Sequence, residues 1–211
     1  MNGKKFHHIF QGRISRITNE FAGGFKFVAN FKKTVAIFGS TRSLPSDHYY
    51  QKARELGDIL TKAGFTVVTG GGSGIMEAAN RGAFEAGGES VGLNIKLAKR
   101  QAINKYVTKS ISFQHFFTRK VMFSFAANVY VFFPGGFGTL DEFFEMIMLV
   151  QTKELHKPVL IIAVGKEYWQ PLFSWLENEV YKKRKAIAAK DLKIFHLVDS
   201  VKEALELIKN K

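Results

Sequence analysis

The chain has no cysteine. That removes a disulfide framework, thiol catalysis and every cysteine-based zinc site, and it fits a reducing compartment such as the cytoplasm. No apolar run approaches the roughly 20 residues a membrane-spanning helix needs, so no membrane partner is expected. Acid is scarce: 18 Asp and Glu stand against 31 Lys and Arg, a formal charge of +13. Such an excess favours anionic ligands, either nucleic acid or phosphorylated small molecules. The basic residues are spread along the chain, with concentrations at Lys96 to Lys109 and Lys182 to Lys193. No RNA- or DNA-binding module is recognisable, so nucleic acid is the less favoured of the two. Three further patterns are missing. No G-x-G-x-x-G fits, because its last glycine would fall on Ile75, Glu77 or Asp141; there is no Gly-Lys-Ser/Thr of a P-loop; and the six histidines show no H-E-x-x-H or other metal-ligand spacing. No metal and no organic cofactor are therefore expected.

What is present is a full hydrophobic share, 46% of 211 residues, ordinary for a globular protein. Apolar runs alternate with amphipathic segments, the signature of βαβ units. Strands are expected at Thr34 to Phe38, Thr66 to Thr69, Ser90 to Leu93, Val107 to Ser112, Val129 to Phe133, Pro158 to Val164 and Ile194 to Val198. Helices are expected from Asp47 to Ala63, capped by Ser46, then at Ile75 to Ala86, His115 to Ala127, Leu140 to Thr152, Tyr168 to Lys182 and Ser200 to Lys209. Lys96 to Asn104 reads as a polar loop. Near-continuous apolar strands suit a parallel sheet covered on both faces. The fold class is thus α/β, a modified Rossmann-like three-layer α/β/α arrangement around a central parallel sheet. Residues 34–211 read as one Rossmann-like domain. Residues 1–33 hold seven Lys or Arg against Glu20 alone, with Ile14, Ile17, Phe21 and Phe25 at helical spacing. They read as an amphipathic segment packing on that domain or on a partner subunit.

Two glycine turns stand between a strand and a helix. The first is Gly70-Gly71-Gly72-Ser73-Gly74, after Val67-Val68-Thr69. The second is Pro134-Gly135-Gly136-Phe137-Gly138-Thr139-Leu140-Asp141-Glu142, after Val129 to Phe133. A strand feeding a glycine turn and then a helix offers free N–H groups at a positive helix end, which is a phosphate site. The bland alternative is a pair of tight turns in a parallel sheet. Ligands in such sheets bind outside the carboxyl ends of the strands, and Gly39-Ser40-Thr41 ends a third strand, so three loops should meet at one crevice. Glu142, expected in the first turn of its helix, is an awkward neighbour for a phosphate, and chemistry explains it better than anion binding alone.

The second turn matches every fixed position of P-G-G-x-G-T-x-x-E, and with Gly70 to Met76 and Arg119-Lys120 it resembles the LONELY GUY family, historically labelled "possible lysine decarboxylase". The resemblance runs from about Val35 to Val164 and is nearest the longer bacterial subgroup, although Glu77 stands where many members carry glycine. It implies a phosphoribohydrolase that cleaves the N-glycosidic bond of a purine nucleoside 5′-monophosphate, cytokinin-type or AMP-like. It also implies Arg119 in the active site beside Glu142, and a crevice near the interface of a homodimer or higher homo-oligomer. Glu142 can act as general base, as electrostatic stabiliser of an oxocarbenium-like ribose, or as both. Gly71, Gly72, Gly74, Gly135, Gly136, Gly138, Thr139 and Ser40 are the expected phosphate and ribose contacts. Glu77 is a weaker ribose candidate, His115 an accessory one, and Phe116, Phe117 and Phe137 either wall a base pocket or pack. The alternative is a protein of the same fold that binds or carries a nucleotide or phosphorylated cofactor without turning it over. A pyridoxal enzyme would need a Schiff-base lysine, and the only tempting site, His156-Lys157, has no surroundings to suit one.

Overall fold

The structure is a computed structural model that describes residues 3–96, 102–155 and 157–210, with side chains from residue 12 onward. Most of the expected polar loop at 96–104, and His156, lie outside the described residues. Helix α1 (Gly3–Val28) precedes an alternation of strands and helices. These are β1 (Thr34–Phe38), α2 (His48–Lys62), β2 (Thr66–Thr69), α3 (Ile75–Glu85), β3 (Ser90–Ile95), β4 (Lys109–Phe113), α4 (Phe116–Ala126), β5 (Val129–Phe132), α5 (Phe137–Gln151), β6 (Leu160–Val164), α6 (Lys166–Trp175), β7 (Phe195–Val198) and α7 (Val201–Lys209). The seven strands form one sheet in the order β4-β3-β2-β1-β5-β6-β7, and every pairing is parallel. Strand order reverses between β1 and β5, so the crevice of a parallel sheet belongs between their carboxyl ends.

Alternate residues of the strands feed two cores. Val35 and Ile37 of β1, Val129 and Val131 of β5 and Ile162 of β6 pack under α2, α3 and α7. Ala36, Phe38, Tyr130, Phe132 and Ile161 pack on the opposite face under α1, α4, α5 and α6. This is the three-layer α/β/α arrangement that the βαβ alternation implied. Among the described residues no helix is long and apolar enough to cross a membrane.

Several boundaries differ from those expected. Asp47, not Ser46, occupies the N-cap of α2, and its carboxylate turns back to accept from the Leu44 N–H at 2.7 Å. Helix α5 begins at Phe137, so Glu142 lies in its second turn rather than its first. The helix expected over 168–182 starts two residues earlier, behind Gly165, and passes at Leu176–Lys183 into a π-helix. Ser200 precedes α7 as its cap, accepting from the Glu203 N–H at 3.1 Å.

The last turn of α4 is held from three sides. A helix leaves its final carbonyls without internal partners. The hydroxyl of fully buried Tyr130 sits 2.9, 2.9 and 2.7 Å from the carbonyls of Phe123, Ser124 and Ala127. Lys157 Nζ donates to the carbonyls of Phe125 and Ala127 at 3.1 and 2.7 Å, and the Thr34 hydroxyl donates to that of Ala126. Lys157 is thereby committed to the end of a helix and is not among the residues that line the crevice. Tyr130→Phe keeps the ring and removes only the donor. It should lower stability by about 1–3 kcal/mol, the cost of a lost buried hydrogen bond, as a lower urea midpoint at unchanged slope. A midpoint equal to wild type would show that the carbonyl cage contributes nothing.

Candidate active site

Between the ends of β1 and β5 opens a crevice of about 790 Å³, lined by the loop from Gly39 to Ser43, by Gly70 and Met76, and by the turn from Pro134 to Thr139. Such a volume suits a small-molecule ligand. The three loops are laced together. Ser40 N–H donates to the Pro134 carbonyl at 2.9 Å, Ile75 N–H to the Ser40 carbonyl at 2.9 Å, and the Ser73 hydroxyl to the Thr41 carbonyl at 2.8 Å. Tyr168 of α6 lines the crevice as well and donates to the Gly135 carbonyl at 2.6 Å.

Ser40, Gly135, Gly136, Gly138 and Thr139 all face this space. Thr139 is buried at the start of α5, while Gly136 and Gly138 are exposed to an incoming ligand. Gly71, Gly72 and Gly74 are not brought to the crevice. They are buried beneath it, and of the first turn only Gly70 faces inward. Gly74 has φ +68°, and a Cβ there would run into the Ser40 carbonyl oxygen, so glycine is needed to seat one loop on the other. The turn is braced from below: Thr69 Oγ1 accepts from the Gly71 N–H at 2.9 Å and donates to Asn80 Oδ1 at 2.6 Å, and Asn104 Nδ2 donates to the Gly72 carbonyl at 2.9 Å. Sequence spacing cannot separate a turn that touches a ligand from one that supports the loop doing so.

Glu142 and Arg119 meet at the crevice floor. Glu142 is only 4% exposed, and its Oε1 stands 3.6 Å from Arg119 Nη2. The guanidinium lies 5.5 Å from the ring centroids of both Phe116 and Phe123, and its Nε is buried with no hydrogen-bond partner among the described residues. Burial pushes the Glu142 carboxyl up to about 7, against the pull of Arg119 and with help from the nearby acid Glu145. Burial also draws Arg119 below its ordinary value, opposed by the same partner. A half-ionised carboxyl at neutral pH is suited to moving protons.

The remaining candidates lie elsewhere. Lys120 points away, bridging Asp141 at 2.7 Å and Glu145 at 3.1 Å on the outer side of α5; Asp141 pairs there rather than capping the helix. Glu77 accepts from the Tyr50 hydroxyl at 3.2 Å, and neither it nor His115 lines the crevice. Phe116 and Phe137 do line it, both largely exposed, whereas Phe117 does not. Arg42, Tyr168, Ile95, Phe38 and Phe123 also line it, as does Met76 at the end of the first glycine motif. Arg42 was within reach, two residues past Ser40 in a loop already identified; Tyr168 carried no local signal. Among the described residues no group of His, Asp and Glu side chains could hold a metal ion.

The raised carboxyl has a consequence for stability. In the unfolded chain Glu142 ionises near the ordinary 4.5; in the fold it does so only near 7. Keeping it neutral is therefore favourable, and the fold loses that advantage as pH rises from about 4.5 through about 7. Glu142→Gln imitates the neutral form. It should raise Tm by a few degrees at pH 8 and leave it unchanged near pH 4.5. A lower Tm at pH 8 would mean that ionised Glu142 is a net stabiliser.

Residues 76–208 match the family described as "Possible lysine decarboxylase". The rice protein described as probable cytokinin riboside 5′-monophosphate phosphoribohydrolase LOGL5 (Oryza sativa subsp. japonica) is 28% identical over 156 residues, 73% of this chain and 63% of its own length. Cytokinin riboside 5′-monophosphate phosphoribohydrolase LOG1 of Arabidopsis thaliana is 28% identical over 181 residues, 84% of this chain and 81% of its own. Among solved structures, the molybdenum cofactor binding protein of Rippkaea orientalis superposes with a TM-score of 0.61 at 22% identity, over 85% of this chain and 96% of that one. The molybdenum cofactor carrier protein of Chlamydomonas reinhardtii does so at 0.60 and 21%, over 85% and 97%. These two share the fold. The chain belongs to the LONELY GUY family, whose family model keeps the older label "Possible lysine decarboxylase".

Proposed function

We propose that this protein hydrolyses the N-glycosidic bond of a purine nucleoside 5′-monophosphate, releasing free base and ribose 5-phosphate in the cytoplasm without metal or organic cofactor. The observation that carries the reading is the buried carboxylate of Glu142, held near neutrality beside Arg119 and opening onto a crevice walled by a glycine turn. The N–H groups of Gly136, Phe137 and Gly138 head α5 and receive the 5′-phosphate, with the hydroxyls of Thr139 and Ser40 beside them. Phe116, Phe123 and Ile95 offer an apolar wall for the base.

In the reaction the C1′–N9 bond breaks with its electron pair leaving on the base, and the ribose gains oxocarbenium character. Water attacks C1′ on the opposite side and gives its proton to Glu142, which later returns it to solvent; the departing base takes up a proton. The ionised carboxylate also stabilises the positive ribose, and Arg119 keeps it ionised and oriented. Because both roles need the anion, activity should rise with pH through an acid limb near 7. A phosphate dianion beside Glu142 shifts that limb upward for kcat relative to kcat/KM. The relatives described as cytokinin riboside 5′-monophosphate phosphoribohydrolases support this chemistry.

The test is incubation with AMP, GMP, CMP and isopentenyladenosine monophosphate, following free base by chromatography. At least one purine monophosphate should be cleaved and its bare nucleoside far less. Glu142→Gln should lower turnover by roughly 10²–10⁴, as for a lost acid–base group, while phosphate binding survives; Arg119→Ala should also slow it. Cleavage by Glu142→Gln at the wild-type rate would refute the mechanism. Tight binding of a monophosphate without cleavage would make the protein a binding or carrier protein.

The same reading includes a homodimer or higher homo-oligomer. Phe144 and Met148 of α5 are exposed beside Phe137, which lines the crevice and is 92% exposed. Apolar side chains so grouped are the mark of an interface. Light scattering at micromolar protein should give at least twice the chain mass, and Phe144→Asp should weaken the assembly. A monomer mass for the wild type would refute it.

A further inference from the structure

Helix α4 carries Arg119 but does not cap its own first turn. Its N-cap residue, His115, makes no side-chain capping bond. A carboxylate of α1 lies against this end of the helix instead. Glu20 Oε1 accepts from the Gln114 N–H at 2.7 Å; Oε2 accepts from the Thr118 hydroxyl at 2.6 Å and lies 3.2 Å from His115 Nδ1. One carboxylate thus grips the residue before the cap, the cap itself and the third residue of the helix; Arg119 is the next. A negative charge at this end also suits the helix dipole. Burial works against ionisation of Glu20, but the bonds from Thr118, Gln114 and His115 outweigh it and keep the carboxyl below its ordinary value.

Two further observations give this contact its weight. Gly24, one turn beyond Glu20 on the same stripe, lets the backbone of α1 come down on α4: a Cβ there would fall 2.5 Å from Met122 Sδ and 3.1 Å from Phe113 Cε1. The guanidinium of Arg119 has no hydrogen bond at Nε, and Glu142 stands at 3.6 Å. Its place depends on the helix that bears it more than on bonds of its own.

We infer that Glu20 is a positioning residue: by holding the start of α4 from α1 it sets the place of Arg119 against Glu142. The inference rests on the proposed reaction for its kinetic consequence, but not for its structural one. It gives a role in the active site to a segment outside the stretch that matches the family, which begins at residue 76.

The experiment compares wild type, Glu20→Gln, Glu20→Ala and the double variant Glu20→Ala/Arg119→Ala. Amide hydrogen exchange is followed by mass spectrometry, ribose 5-phosphate affinity by calorimetry, and kcat and KM on the purine monophosphate cleaved best. Glu20→Ala should speed exchange over residues 114–120 and leave 135–142 unchanged. It should lower kcat by roughly 10- to 10²-fold, the scale of a small misplacement of a working group, with KM and ribose 5-phosphate affinity unchanged. In the Arg119→Ala background it should cost nothing more. Glu20→Gln, which keeps one acceptor and the shape, should fall between and provides the same comparison if the alanine variant does not fold. Wild-type exchange over 114–120 in the variants would overturn the inference, as would an equal loss of kcat with and without Arg119. If the wild type cleaves no monophosphate, the proposed reaction fails, and the exchange data still decide whether Glu20 holds the helix.

Discussion

A buried carboxylate and a half-buried guanidinium, 3.6 Å apart, are the constraint around which this molecule is arranged. Neither charge is welcome in an apolar interior, and a buried pair is costly unless its geometry is maintained. Here it is imperfect: the pair stands just beyond hydrogen-bond distance and Arg119 Nε has no partner. The result is a carboxyl that stays half-protonated near pH 7 rather than one fixed as an anion. A tighter pair would stabilise the fold more and give up the ability to take and release a proton, the usual conflict between a stable site and a working one.

Keeping the two groups in place falls to the scaffold. Glu142 stands on α5, which follows β5; Arg119 stands on α4, which precedes it. The end of α4 is gripped by Tyr130 of β5, Thr34 of β1 and Lys157, and its start by Glu20 of α1. The helix is therefore fixed to the sheet at one end and to an N-terminal helix at the other. The crevice loops are fixed to one another by backbone bonds, Ser40 to Pro134 and Ile75 to Ser40.

Much of this could be read from the chain, for physical reasons that also mark where reading stops. Strands such as Thr34–Phe38 and Thr66–Thr69 are short apolar runs bounded by turn residues, and their limits matched. The second glycine turn and Glu142 were recognisable because the residues that face the crevice there are neighbours along the chain. The helix begins at Phe137 rather than Leu140 because the Thr139 and Leu140 N–H groups bond back to the Gly136 carbonyl, which draws Phe137 and Gly138, weak helix formers, into its first turn. Contacts between distant segments left no local trace. Glu20 with Thr118, Tyr168 with Gly135 and Thr34 with Ala126 each need the folded neighbour to have meaning. The same holds for Gly71, Gly72 and Gly74, whose spacing does not reveal that they are buried and off the crevice lining.

The most direct test of this account is the ionisation of Glu142 itself, followed by the carbon-13 shift of its carboxyl in protein labelled at glutamate, with Glu142→Gln to assign the signal. Burial beside Arg119 predicts a midpoint near 7, and a still higher one in Arg119→Met, where the opposing cation is gone. A midpoint near the ordinary 4.5 in the wild type, or no rise on removing Arg119, would contradict the claim that this buried pair is what prepares the site for chemistry.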